Sequence, residues 1–137
     1  MRFVDTNVVL YAISNDADER PKADLARELL HGPDVGLSVQ VLQEFYVQAT
    51  RNNRSDRLTH DQASQLVESF LRFPIQAITS HVMLSALATR ERYGISYWDA
   101  AIIEAARTLG CEVVLSEDLS DHQDYGGVRV ENPFHGT

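Results

Sequence analysis

The sequence predicts an α/β fold in which a mainly parallel sheet is covered by helices on both faces. Short apolar runs without polar alternation are typical of strands buried on both faces of a parallel sheet. Longer segments with apolar residues at three- and four-residue spacing alternate with these runs, as amphipathic helices do. The chain has 137 residues, which fits a single domain over residues 1–137.

The N-terminal half is predicted to contain two strands and three helices. The apolar run at residues 2–5 ends on an acid and forms the first strand, and residues 7–14 continue as a short helix. Residues 20–31 have helical apolar spacing and stop at a Gly-Pro pair. Residues 35–38 form the second strand. Residues 39–50 place valine, leucine and aromatic side chains on one helical stripe.

The C-terminal half is predicted to contain three strands and three helices. A capping threonine opens its first helix, and a glycine in the C-cap position follows its last helix. The helices span residues 59–72, 80–92 and 97–109, and the strands span residues 74–78, 113–116 and 128–130.

The amino-acid composition excludes several classes of protein. The single cysteine, Cys111, excludes an intramolecular disulfide and a cysteine zinc cluster, and we expect it to be a buried small apolar side chain. No apolar run approaches the ~18 residues that a membrane helix needs. The N-terminus carries Asp5 and Asn7 and lacks the charged leader of a signal peptide. We therefore expect a soluble cytoplasmic protein with no membrane partner.

The charge balance is acidic, with 12 Lys+Arg against 20 Asp+Glu and a formal net charge of −8. At first sight this argues against a nucleic-acid partner, since phosphate binding favours a basic surface. The chain has one lysine, Lys22, so lysine-dependent chemistry is excluded unless this residue supplies it.

Acidic side chains occur where an α/β fold places its active site. Parallel sheets bind ligands at the carboxyl ends of their strands. Asp5 follows the first strand, and Glu117 and Asp118 follow the strand at residues 113–116. Two further acids lie in apolar helical segments, Glu44 in VLQEFYV and Asp99 in YWDAAII.

Each of these acids also has a purely structural explanation. Asp5 suits an Asx turn that closes the first strand, and Glu44 suits an exposed helix face. Asp99 suits the third helical position after an N-cap at Ser96, where the helix dipole favours an acid.

Four converging carboxylates would repel one another and raise their pKa values unless a cation binds. All-oxygen ligation suits Mg²⁺ or Mn²⁺, and such an ion suits phosphodiester hydrolysis. The five histidines form no zinc-binding spacing, and we expect them at the surface. His122 is the possible exception, because it lies near the acidic loop.

Five sequence blocks in order resemble the PIN-domain family, and most closely the VapC toxins of bacterial type II toxin–antitoxin systems. The blocks are FVDTNVVLYA at 3–12, VLQEFYV at 41–47, SYWDAAII at 96–103, VLSEDLSD at 114–121 and VENPF at 130–134. The resemblance implies a Rossmann-like α/β/α sandwich that acts as a Mg²⁺- or Mn²⁺-dependent ribonuclease. It further implies an RNA substrate, a cognate antitoxin and a homodimer.

The resemblance also assigns roles to the acids. Asp5, Glu44 and Asp99 match the three central acids of the family, and Asp118 matches the more variable fourth. Asp5 and Asp99 would be the most direct metal ligands, with Glu44 and Asp118 acting through waters or on a second ion. Glu117 is an ambiguous neighbour, since a change of register would exchange it with Asp118.

Other residues are assigned to support or to substrate contact. Thr6, Asn7 and Ser116 match family positions that orient the first acid and support the site. A loop with three arginines follows the Glu44 helix and is a candidate for RNA phosphate contacts, with a solvated loop as the alternative. These arginines are Arg51, Arg54 and Arg57. We expect Trp98 to pack in the core in preference to stacking on a base.

Three other families are disfavoured by missing residues. A response-regulator receiver domain needs an acid pair after its first strand and a lysine after a late strand. A haloacid-dehalogenase-like phosphatase needs a second acid where Asn7 stands. A dinucleotide-binding domain needs GxGxxG, which is absent. The remaining alternative is a PIN domain in a DNA-bound transcriptional regulatory complex with weak or no nuclease activity.

Overall fold

The computed structural model describes residues 1–137 and contains one five-stranded sheet and six α-helices. The strands are β1 Arg2–Val4, β2 Val35–Ser38, β3 Ile75–Gln76, β4 Val113–Leu115 and β5 Arg129–Glu131. The helices are α1 Thr6–Ala12, α2 Arg20–His31, α3 Val39–Ala49, α4 His60–Phe70, α5 Ser80–Tyr93 and α6 Tyr97–Leu109.

The sheet has the strand order β3-β2-β1-β4-β5, and every adjacent pair is parallel. The chain first extends the sheet on one side of β1 and then crosses to the other side. The strand order therefore reverses between β1 and β4. Open α/β sheets bind ligands outside the carboxyl ends of the strands at this kind of switch point. The predicted α/β class with a mainly parallel sheet is confirmed.

The bounds of four strands differ from the prediction. Strand β4 ends one residue earlier than expected, at Leu115, and β5 lies one residue later, at Arg129–Glu131. The first strand ends at Val4 because Asp5 already caps α1. The third strand covers Ile75–Gln76 and not residues 74–78. Its only neighbour, β2, ends at Ser38 and turns into α3, so the two strands pair over only two positions.

The central strands are buried because helices cover them. Phe3 and Val4 of β1 and Val114 of β4 have no exposed surface. Burying a side chain of this size stabilises the fold by about 1.5–3 kcal/mol. Cys111 is buried as predicted. Gly36 allows β2 to pass close to α6, since a Cβ there would lie 2.6 Å from Cδ2 of Leu109. None of the helices combines the length and apolar character that crossing a membrane requires.

Candidate active site

Asp5 stands at the carboxyl end of the central strand, with only 8% of its surface exposed. It is the N-cap of α1, and its Oδ1 accepts the amide of Thr6 at 2.7 Å. Its Oδ2 accepts the hydroxyl of Ser116 at 2.7 Å. The Asp5 side chain therefore caps α1 and also presents a carboxylate at the switch point of the sheet.

Asn7 links the ends of β1 and β4. Its Nδ2 lies 3.3 Å from Oδ2 of Asp5, 3.1 Å from Oγ of Ser116 and 3.2 Å from Oδ2 of Asp118. Its Oδ1 accepts the amide of Glu117 at 3.0 Å. One amide side chain therefore brings Asp5 and Asp118 to the same crevice, although they are more than 100 positions apart in the chain.

Glu44 approaches the crevice from α3. Its Oε1 accepts hydrogen bonds from Thr6 Oγ1 and Gln40 Nε2, both at 3.3 Å. The amide of Gln40 also donates to the carbonyl of Trp98 at 3.2 Å. This contact joins α3 to the first turn of α6. The partly buried Glu44 thus lies against α1, one helical turn after the contact that Gln40 makes with α6, and not on an exposed helix face.

Asp99 approaches the crevice from α6. Ser96 is the N-cap of this helix, and its Oγ accepts the Asp99 amide at 3.1 Å. The predicted N3 position is therefore confirmed. Asp99 also lies near enough to Glu44 for its negative charge to raise the pKa of that carboxyl. Asp99 therefore belongs both to the first turn of α6 and to the acidic crevice.

Burial and mutual repulsion make the crevice a poor place for unpaired negative charge. The pKa of Asp5 is raised to about 6, chiefly by burial and also by the charges of Glu44 and Asp118, against the lowering hydrogen bonds from Ser116 and Thr6. Burial also raises the pKa of Glu44, with Asp99 and Asp118 adding to the effect. A cation at this position would relieve the electrostatic cost.

Glu117 lies at the edge of the acidic crevice and is bound there by side chains of α1 and α2. Its Oε2 lies 2.5 Å from Nζ of Lys22, and its Oε1 accepts the hydroxyl of Tyr11 at 2.6 Å. Burial alone would raise the pKa of Glu117, but these two hydrogen bonds outweigh it and lower the pKa. Asp118, and not Glu117, is therefore the loop acid that meets Asn7 and Asp5.

The three loop arginines are separated by the fold. Arg54 lines a cavity of about 200 Å³ together with Asn7 and Asp118, and its Nε lies 2.9 Å from Oδ1 of Asp56. Arg51 lines a second cavity that also contains Glu44. Arg57 instead donates to Asn52 in the exposed loop at 2.6 Å. Two of the three arginines border the crevice.

The prediction that Trp98 packs in the core is wrong. Its side chain is 66% exposed, because it lies in the first turn of α6 at the edge of the crevice and not on the inner face. All five histidines are exposed, as predicted, and His122 lies beside Asp121 at 3.3 Å and not in the crevice.

The acidic crevice is suited to a hard cation by its donor chemistry, since it offers carboxylate, amide and hydroxyl oxygens. No group of three acidic, histidine or cysteine side chains in the structure is arranged to hold an ion directly. The residues therefore fit an ion that keeps several of its waters, as Mg²⁺ does, better than a closed protein cage.

Sequence reasoning missed three residues that hold the crevice in place. Gln40 lies one turn before Glu44, and Tyr11 lies one turn after Asn7. The four-residue helical spacing placed each of them on the same face as a candidate residue. Lys22 carried no such signal, because its contact with Glu117 spans 95 positions.

The PIN-domain family model matches residues 2–126. The chain belongs to the PIN-domain family. The resemblance stated from the sequence blocks is thereby confirmed. No curated protein matches this PIN domain at the level of sequence.

Solved structures similar to this PIN domain share its fold at low sequence identity. A toxin–antitoxin complex from Klebsiella pneumoniae is 20% identical, with 98% of each chain covered and a TM-score of 0.70. The sarcin–ricin loop cleaving toxin VapC20 from Mycobacterium tuberculosis is 19% identical, covering 86% of this chain and 92% of its own, with a TM-score of 0.66. DNA-bound VapBC from Salmonella typhimurium is 20% identical, covering 96% and 97%, also at 0.66.

Proposed function

We propose that this PIN domain is a divalent-metal-dependent endoribonuclease and the toxin of a toxin–antitoxin pair. The observation that carries the proposal is the convergence of acids from four separate segments on the β1–β4 switch point. These acids are Asp5, Glu44, Asp99 and Asp118. Similar structures that are toxins, one of them cleaving the sarcin–ricin loop, support the choice of RNA as substrate.

Mg²⁺ or Mn²⁺ is the proposed cofactor. Asp5 and Asp99 would hold the ion most directly, and Glu44 and Asp118 would hold it through waters or hold a second ion. When bound, the ion supplies an activated water and stabilises negative charge at the phosphoryl group.

The chain's own residues prepare the crevice for that ion. Ser116 and Thr6 orient the Asp5 carboxylate by hydrogen bonds to both of its oxygens. Because the pKa of Asp5 is raised to about 6, ion binding near neutral pH competes with a partly retained proton and fixes the carboxylate in its ionised form. Asn7 holds Asp118 against the same crevice.

RNA approaches this crevice along a local basic edge, since the chain as a whole is acidic. Arg54 on one side and Arg51 on the other are placed to contact phosphates that flank the scissile bond. The acidity also suits a basic segment of a cognate antitoxin, and we propose such an antitoxin and a homodimer as the assembly.

A second candidate is a regulatory complex on DNA with little nuclease activity. The observation in its favour is that one similar structure is a DNA-bound VapBC complex. The net charge of −8 disfavours direct contact between this chain and DNA. In such a complex the DNA contacts would come from the partner.

The test compares the wild type with Asp5→Asn and Asp99→Asn, both expressed without any antitoxin. We expect the wild type to arrest growth and both variants to relieve the arrest. The purified wild type should cleave RNA with Mg²⁺ or Mn²⁺ and lose the activity in EDTA, with cleavage sites mapped by sequencing RNA 5′ ends.

The matched control is Asp24→Asn, which removes an exposed acid on α2. It should behave like the wild type. If the Asp5 and Asp99 variants are as toxic as the wild type, or if cleavage persists in excess EDTA, the proposed metal-dependent mechanism is contradicted. A wild type that arrests nothing and cleaves no RNA would favour the regulatory alternative.

A further inference from the structure

We propose that Trp98 and the facing wall of α3 form a subsite for an unpaired nucleobase beside the acidic crevice. The proposal rests on the proposed ribonuclease function and deepens it. It states that a base next to the scissile phosphate is held by stacking on Trp98 and by polar side chains of α3.

The indole ring of Trp98 is unusually open to solvent. It is 66% exposed, the largest exposed fraction among the exposed large apolar side chains of the chain. Its backbone carbonyl accepts Gln40 Nε2 at 3.2 Å, and its ring meets Tyr97 edge to face at 5.0 Å and 81°. The ring is therefore supported on one side and available for stacking on the other. Bases stack on such aromatic platforms in single-stranded nucleic-acid sites.

A cavity of about 370 Å³ separates Trp98 from α3, and its other lining residues are mainly polar. They are Gln40, Gln43, Glu44, Val47, Gln48 and Arg51. Gln40 already donates to Glu44 and to the Trp98 carbonyl. The side-chain amides of Gln43 and Gln48 each offer a donor and an acceptor, which is the chemistry needed to read a base edge. These edges are free in single-stranded RNA and occupied in a duplex.

The cavity is continuous with the acidic crevice through Glu44. This residue lines the cavity and also accepts the hydroxyl of Thr6, the neighbour of Asp5. A base that stacks on Trp98 would therefore lie close to a phosphate in the crevice. Arg51 is placed at the same cavity to neutralise a neighbouring phosphate.

An RNA base fits this surface better than a second protein chain does. Dry protein interfaces concentrate apolar residues at their centre, whereas only Val47 and Trp98 are apolar among the residues that line this cavity. On its other side, however, Trp98 borders Ile78 and Met83. Burial of this side by another copy of the chain is a distinct outcome that the experiment must detect.

The sole tryptophan of the chain serves as its own reporter. The wild type is titrated in EDTA, which prevents metal-dependent cleavage, with a randomised single-stranded 12-mer RNA. The matched ligand is the same 12-mer with its central nucleotides made abasic. We expect the intact RNA to quench the tryptophan fluorescence and the abasic RNA to bind with little quenching.

Variants then measure the contribution of the ring. Base stacking on an aromatic side chain corresponds to an affinity loss of about fivefold to 150-fold on truncation to alanine. We expect Trp98→Ala to weaken binding of labelled intact RNA within that range and to bind the abasic RNA like the wild type. Trp98→Phe should retain most of the affinity. The control Leu84→Ala removes another exposed apolar side chain and should change nothing.

The outcomes separate the subsite from the ribonuclease function. A wild type that cleaves no RNA with Mg²⁺ or Mn²⁺ contradicts the function, whatever Trp98 does. Normal RNA affinity and normal cleavage by Trp98→Ala, or equal quenching by intact and abasic RNA, overturn the subsite alone. A change in oligomeric state in Trp98→Ala, measured by sedimentation, would assign the surface to a second copy of the chain and also overturn it.

Discussion

Asp5 is held almost out of water, yet the proposed nuclease function requires it to carry a negative charge. Three hydrogen-bond donors, the Thr6 amide, the Ser116 hydroxyl and the Asn7 amide, compensate its burial only in part. Burial therefore raises the pKa of this carboxyl to about 6. Ionisation of Asp5 therefore has an electrostatic cost that the proposed cation would remove.

This cost gives a prediction for stability without metal. Because its pKa is raised, Asp5 binds more protons in the folded than in the unfolded state between pH of about 4 and 6. The free energy of unfolding should therefore fall as pH rises through that interval, by about 3 kcal/mol from this residue. Asp5→Asn should be more stable than the wild type at pH 7.5 and lose that advantage near pH 4.

Urea unfolding in EDTA at several pH values measures the difference. Asp24→Asn, which removes an exposed acid, provides the baseline. A stability difference between the wild type and Asp5→Asn that stays constant with pH would show that Asp5 is not the titrating group.

At the scale of elements, the loop after β4 is held on both sides. On one side, Asn7 of α1 is hydrogen-bonded to the Asp118 carboxylate and to the backbone amide of Glu117. On the other side, Lys22 of α2 and Tyr11 of α1 donate to the Glu117 carboxylate. Residues 117–119 form a bend whose Asp118 and Leu119 amides donate to Ser116 Oγ, and with Glu117 bound to Lys22 and Tyr11 it is the Asp118 carboxylate that meets Asn7. Lys22, the single lysine of the chain, thus influences the crevice indirectly, because it helps to fix the position of the loop after β4.

This arrangement predicts different effects for two neighbouring substitutions. Asp118→Asn should reduce RNA cleavage strongly and change stability little, because Asp118 is exposed. Glu117→Gln should lower the free energy of unfolding by about 1–2 kcal/mol, since it weakens two charge-assisted hydrogen bonds. Its effect on cleavage should be the smaller of the two.

Urea unfolding and initial cleavage rates, measured side by side, test this assignment. Glu131→Gln removes a carboxylate from an exposed ion pair with Arg129 and serves as the control. A larger loss of cleavage in Glu117→Gln than in Asp118→Asn would make Glu117 the fourth acid.

At the scale of the whole molecule, part of the net negative charge is concentrated in one place. Four of the acids converge on one crevice, and two divalent ions there would halve the formal charge of −8. The rest of the charge is spread over the chain. Arg51 lies at the crevice without an acidic partner, and Arg54 lies there in an ion pair with Asp56. A net negative charge is therefore compatible with an RNA substrate.

Metal binding should stabilise the whole fold by mass action. At an ion concentration about 100 times Kd, the gain is about 2.7 kcal/mol, which raises the Tm of a domain of this size by about 8 °C. Differential scanning calorimetry with Mg²⁺, Mn²⁺ or EDTA measures it. The shift should vanish in Asp5→Asn and persist in Asp24→Asn, and an equal shift in both variants would place the ion elsewhere.

The sequence by itself determined the order of strands and helices and the positions of the candidate acids. Both depend on local patterns. Apolar periodicity defines each element, and polar residues directly after an apolar strand mark its carboxyl end. The caps at Ser96 and Gly110 were also readable, because a cap acts within a few residues. The short extent of β3 was not, since it depends on where its neighbour β2 ends.

Only the tertiary structure decided how side chains share the crevice. Asp118 meets Asn7 while Lys22 binds Glu117 across 95 positions, and no local pattern encodes that contact. Trp98 resembled a core residue in an apolar helix, but helix packing left it at the edge of the crevice. Exposure and long-range pairing depend on the relative placement of whole elements, whereas capping and periodicity depend on neighbours in the chain.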